Sequence, residues 1–90
     1  MDPLSDAEIT ERLAGLPGWE RDENQIHRTF EFDDFKGSMT FVNRVAELAE
    51  AADHHPDIDI RYSKVTLTLS THDAGGLTGR DFDLAGRVQT

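Results

Sequence analysis

The chain has 90 residues, 37% hydrophobic and 30% charged, with 18 acidic side chains against 9 Lys and Arg, a formal net charge of -9 and no cysteine. A chain this short supports one modest core, so a single domain over residues 1–90 is expected, and the charge turns away phosphate backbones and hence nucleic acid. Without cysteine there are no disulfides, thiolate nucleophiles, iron–sulfur clusters or thiolate zinc sites. No apolar run approaches the roughly 20 residues of a membrane span, and the acidic start "MDPLSDAEIT" has no basic-then-apolar leader, so a cytoplasmic protein without membrane contact is expected.

In "LSDAEITERLAGLPGW" the Ser5-x-x-Glu8 spacing is a capping box, and Leu4 can staple onto Ile9. A first helix starts there, buries Ile9 and Leu13, and stops at Gly15, Pro17 and Gly18. Trp19 opens the next element. "RDEN" reads as a polar turn between two extended pieces, the second carrying Ile26, Phe30 and Phe32 at alternate positions. Arg28 shares their parity, which points to an edge strand or a partly solvated face.

From Asp33 to about Ala52, Phe35, Met39, Val42, Ala46 and Ala49 step by four and three, with Phe41, Val45 and Leu48 on an adjoining stripe. This is the longest helix, capped by Asp33 or Asp34 and wetter along Asn43, Arg44, Glu47 and Glu50. A second hairpin follows: Ile58, Ile60 and Tyr62 alternate, "SK" turns, and Val65, Leu67 and Leu69 alternate again. "DAGGL" reads as a flexible loop, and Thr78-x-x-Asp81 as the box of a last helix carrying Phe82, Leu84, Ala85 and Val88. The order αββαββα predicts an α+β fold, a four-stranded antiparallel sheet with helices on one face.

Of the histidines, His27 gives no signal. His54 and His55 follow the end of the long helix, and Pro56 turns the chain there, so both rings can reach one cavity. His72 is read as the end of the second strand of the hairpin and could face them. Glu50 lies four residues before His54, and Asp53, Asp57, Asp59 and Asp73 crowd the rings, which together with a helix C-terminus favours imidazolium. Plainer readings compete. The His pair could cap a helix, His72 could be a surface residue, and capping alone explains Asp81. A three-histidine metal site is the rival chemical reading, weakened by the absence of an i, i+4 His pair.

The string Glu50-x-x-x-His54-His55-Pro56-x5-Tyr62-x9-His72-x8-Asp81, with "TLSTHDAGGLTGRD" in its second half, resembles the signature of the pterin-4a-carbinolamine dehydratases. The resemblance runs from the first helix through "LPGW" to the last. It implies a four-stranded antiparallel sheet with three helices on one face. It also implies dehydration of 4a-hydroxytetrahydropterin to the quinonoid dihydropterin in tetrahydrobiopterin recycling, with no metal or organic cofactor. By position it makes His54 and His72 the general acid/base pair and His55 a substrate-binding ring. By the same resemblance Glu50, Asp53, Ser70, Thr71 and Asp81 match positions that line or brace the pocket. Ile58 stands where animal members commonly carry an aromatic residue, which removes ring stacking there. The early end of the last helix favours a homodimer over a helix-mediated tetramer. The alternative is a non-catalytic binding module, since some relatives serve as dimerisation partners of a transcription factor or as Rubisco assembly factors.

Overall fold

The computed structural model describes residues 2–89. Its elements are α1 (Asp6–Leu13), β1 (Glu20–Asp22), β2 (Gln25–Glu31), α2 (Phe35–Ala52), β3 (Asp57–Arg61), β4 (Lys64–Leu69), a 3₁₀ turn (His72–Ala74) and α3 (Gly79–Val88). The strands form one antiparallel sheet in the order β1-β2-β4-β3. This is the expected α+β fold, and no helix among the described residues is long and apolar enough to cross a membrane.

Alternation along the strands sends Ile26 and Phe30 of β2 and Val65, Leu67 and Leu69 of β4 to one face, where all five are buried. Phe41, Val45 and Ala49 of α2, Leu84, Ala85 and Val88 of α3, and Ile9 of α1 close over them in one cluster. Each large apolar side chain buried this way contributes about 1.5–3 kcal/mol. The opposite face carries Thr29 and Thr66, whose hydroxyls meet at 2.8 Å across β2 and β4.

Both predicted boxes form. Ser5 Oγ accepts from the Glu8 N–H while Glu8 accepts from the Ser5 N–H, and Thr78 and Asp81 form the box that starts α3. Asp34, rather than Asp33, caps α2 by accepting from the Gly37 N–H at 2.8 Å.

Four expectations change. The buried stripe of α2 is Ser38, Phe41, Val45 and Ala49, whereas Phe35 is 50% exposed and Ala46 is exposed. The helix rotates because the Ser38 hydroxyl donates to the Tyr62 carbonyl at 2.6 Å, so a polar residue can sit fully buried beneath it. β2 is interior, paired on both sides. Arg28 stays half-buried on its apolar face by laying its guanidinium over the Phe30 ring at 4.4 Å and donating to the Pro17 carbonyl. The second hairpin turns at Tyr62 and Ser63, one residue earlier than "SK": Arg61 pairs with Lys64, and Tyr62 sits at φ +50°. Lastly, β4 ends at Leu69, so His72 opens a 3₁₀ turn instead of closing a strand. That turn belongs to a closed loop, not a loose one, because Thr71 and Gly76 exchange backbone hydrogen bonds.

Candidate functional site

Two chain reversals bring the histidines together. Helix α2 stops at Ala52 because Asp53 takes the left-handed conformation (φ +51°, ψ +43°), returning its N–H to the last carbonyls of the helix. His54 and His55 then project from the link between α2 and β3. The Thr71–Gly76 bridge folds the chain after β4, and His72 reaches the same cavity. Asp53, His54, His55, Ser70, Thr71 and His72, together with Asp73 and Arg80, line one cavity of about 270 Å³.

The three rings have different surroundings. His54 is 8% exposed, and its Nε2 lies 2.6 Å from Oδ1 of Asp81, which is fully buried. The other Asp81 oxygen accepts from the Thr71 hydroxyl at 2.8 Å and the Thr78 N–H at 2.9 Å, and the Thr71 and Thr78 hydroxyls meet at 2.8 Å. With Thr71 and Thr78 both donating to it, the carboxylate acts as an acceptor, so Nε2 of His54 carries the proton. Nδ1 is then the nitrogen with no protein partner among the described residues, and in neutral His54 it holds a lone pair.

His55 is exposed, and its Nε2 lies 2.6 Å from Oε2 of Glu50. Glu50 therefore braces His55, not His54 as its four-residue spacing suggested, because Asp53 breaks the helical register between them. His72 is exposed and has no side-chain hydrogen-bond partner among the described residues.

Six of the eight sequence-predicted residues thus line the cavity, while Glu50 and Asp81 stand behind His55 and His54. Sequence reasoning missed Arg80 as a lining residue. Its guanidinium donates to the Asp53 carbonyl at 2.9 Å and ties the start of α3 to the reversal that carries the histidines. Its position beside Asp81 in "TGRD" was the available signal. Among the described residues no three His, Asp or Glu side chains are grouped so as to hold a metal ion. The arrangement gathers proton donors and acceptors around one small polar cavity, which suits general acid/base work.

Comparison with known proteins gives one answer. Residues 2–90 match the family described as pterin 4 alpha carbinolamine dehydratase. A protein of Roseiflexus castenholzii, named "Putative pterin-4-alpha-carbinolamine dehydratase", is 64% identical over 94% of this chain and 91% of its own. One of Acidobacterium capsulatum with the same name is 57% identical over 99% and 97%. The crystal structure of a transcriptional coactivator/pterin dehydratase from Brucella melitensis superposes with a TM-score of 0.93 at 35% identity, covering 97% of this chain and 95% of that one. A pterin dehydratase-like RuBisCO assembly factor of the alpha-carboxysome shares the fold, with a TM-score of 0.63 at 22% identity. The chain therefore belongs to the pterin 4 alpha carbinolamine dehydratase family.

Proposed function

We propose that this protein is a 4a-hydroxytetrahydrobiopterin dehydratase, a hydro-lyase that turns the 4a-hydroxytetrahydropterin into the quinonoid dihydropterin and water. Carrying this reading is the convergence of His54, His55 and His72 on one cavity. The C4a–O bond breaks with its electron pair leaving on oxygen, which takes a proton and departs as water. The N5 lone pair forms the C4a=N5 bond, and N5 gives its proton to a base. One proton is delivered and one removed, so the protein ends unchanged.

His54 and His72, both lining the cavity, are the acid/base pair. His54 works through Nδ1, with Asp81 fixing the ring and its tautomer, while His72 has both nitrogens free to exchange protons with substrate and solvent. His55, braced by Glu50, binds the pterin, together with Asp53, Ser70 and Thr71. This chemistry calls on no metal ion. Its place is the recycling of tetrahydrobiopterin after hydroxylation.

We also propose a homodimer. Strand β3 is a sheet edge with Ile58 and Ile60 37% and 36% exposed on the face that the helices cover elsewhere. Pairing with a second copy satisfies that backbone edge and covers those side chains.

The test generates 4a-hydroxytetrahydropterin in situ at about pH 7–8 and follows its decay with wild type, His54→Ala and His72→Ala, with and without EDTA. Wild type should accelerate decay regardless of chelator, and each variant should lose about 10²–10⁴-fold. Decay at the uncatalysed rate with wild type would leave the non-catalytic binding module, the alternative for this fold.

A further inference from the structure

The loop that carries His72 is held at both ends of its bridge. Thr71 and Gly76 exchange backbone hydrogen bonds that close the loop, and the Thr71 hydroxyl donates to buried Asp81. Beyond Gly76, the chain ahead of α1 crosses the loop. Leu4 donates its backbone N–H to the Leu77 carbonyl at 2.7 Å, and its half-buried side chain packs against the core cluster that contains Leu77. The next residue, Ser5, is the N-cap of α1, so the crossing segment is anchored at its other end by the Ser5–Glu8 box.

The two glycines of this loop answer different demands. Gly75 takes φ +74°, a conformation that strains any side chain, yet a Cβ on it would meet nothing within 4 Å. Gly76 is not at positive φ, so its backbone conformation does not call for glycine. It is buried, and a Cβ on it would sit 3.1 Å from Pro3 Cβ and 3.8 Å from Pro3 Cγ, the first tighter than ordinary van der Waals contact. Gly76 is therefore bare because the N-terminal segment lies against it.

We propose that Pro3 and Leu4 form a strap, seated on Gly76, whose function is to position His72 in the candidate cavity. Its effect on turnover rests on the dehydratase reading above, whereas its hold on His72 does not. The rings of His54 and His55 are fixed by carboxylates, Asp81 and Glu50. His72 is exposed and makes no side-chain hydrogen bond among the described residues, so the path of its own loop sets where the ring stands. Displacing Gly76 displaces Thr71, its bridge partner, and His72 follows Thr71 directly. A group that must meet a reacting atom within hydrogen-bond reach loses rate when its backbone shifts by even part of an ångström.

The experiment compares wild type, Gly76→Ala, the double change Pro3→Gly with Gly76→Ala, and Gly86→Ala, a control on α3 whose added methyl meets nothing within 4 Å. Each full chain is read twice, by the imidazole C–H signals of its histidines in NMR and by kcat and KM on 4a-hydroxytetrahydropterin generated in situ. Gly76→Ala should move the His72 signal while those of His54 and His55 stay in place, and should lower kcat about three- to thirtyfold with KM within about twofold. Adding Pro3→Gly removes the carbons that the new methyl meets and should return the His72 signal and kcat towards wild type, and Gly86→Ala should match wild type in both. A His72 signal unchanged in Gly76→Ala, movement of all three signals together, no recovery in the double variant, or the same changes in Gly86→Ala overturns the strap. Wild type that leaves the decay at its uncatalysed rate sinks the dehydratase reading instead, and the NMR comparison then decides the strap alone.

Discussion

Asp81 does two jobs with one carboxylate. It completes the box that starts α3 by accepting from the Thr78 N–H, and it holds Nε2 of His54 at 2.6 Å. Asp81→Asn keeps the shape but cannot hold the same proton pattern, so kcat should fall at least about tenfold with KM little changed. Asp81→Ala strands the buried Thr71 hydroxyl and Thr78 N–H as well and should cost about 1–3 kcal/mol in urea unfolding. The Glu50–His55 pair behaves differently, because its side chains are 77% and 56% exposed. Glu50→Gln should leave unfolding within about 1 kcal/mol of wild type while raising KM, since an exposed pair adds little to stability. A result in which Glu50→Gln lowers kcat and leaves KM alone would contradict a binding role for His55. At this scale the histidines and Asp81 were legible as residue types at spacings. The partner exchange was not, because Glu50 and His55 meet only once Asp53 adopts a left-handed backbone.

The capping boxes were the most legible elements, since each is a contact three residues long whose geometry a sequence states directly. In α1, the Ser5 backbone N–H, and after it the Ser5 hydroxyl, hold the Glu8 carboxyl below its ordinary pKa. A lowered folded value means that the cap's contribution is complete above the unfolded pKa and is lost as pH falls through the lowered one. Protection factors for the amides of α1, taken relative to the intrinsic exchange rate at each pH, should therefore fall on acidification through the carboxylate range, and Glu8→Gln should flatten that dependence while keeping a box. The face of α2 was less legible because its apolar residues fill two adjoining stripes. Ser38 decides between them by finding the Tyr62 carbonyl in a turn far along the chain. Ser38→Ala leaves that carbonyl without its buried partner and should lower stability by about 1–3 kcal/mol, measured by denaturant unfolding. Val at the same position would add overpacking to that loss.

For the whole molecule, what the helices leave uncovered matters as much as what they bury. Phe35 and Tyr62, 50% and 67% exposed, lie beyond the covered area, as do Ile58 and Ile60 on β3. The paired change Ile58→Lys and Ile60→Lys should convert the proposed dimer to monomer in sedimentation experiments. Loss of the dimer with far-ultraviolet circular dichroism unchanged would place the interface on this edge, and an unaltered sedimentation coefficient would exclude it.

By itself the sequence determined the order of helices and strands, the caps, the antiparallel class and the three histidines that line the candidate cavity. These follow from short-range periodicity and fixed spacings, which do not depend on the rest of the fold. Tertiary structure alone decided which stripe of α2 faces the sheet, that β2 is interior, that Glu50 serves His55, and that Arg80 joins the cavity wall. Glu50 and His55 meet across the left-handed Asp53, a backbone state that the spacing does not announce; the other outcomes are contacts between segments far apart in the chain, set by which groups find partners when the core closes, and no local pattern encodes them.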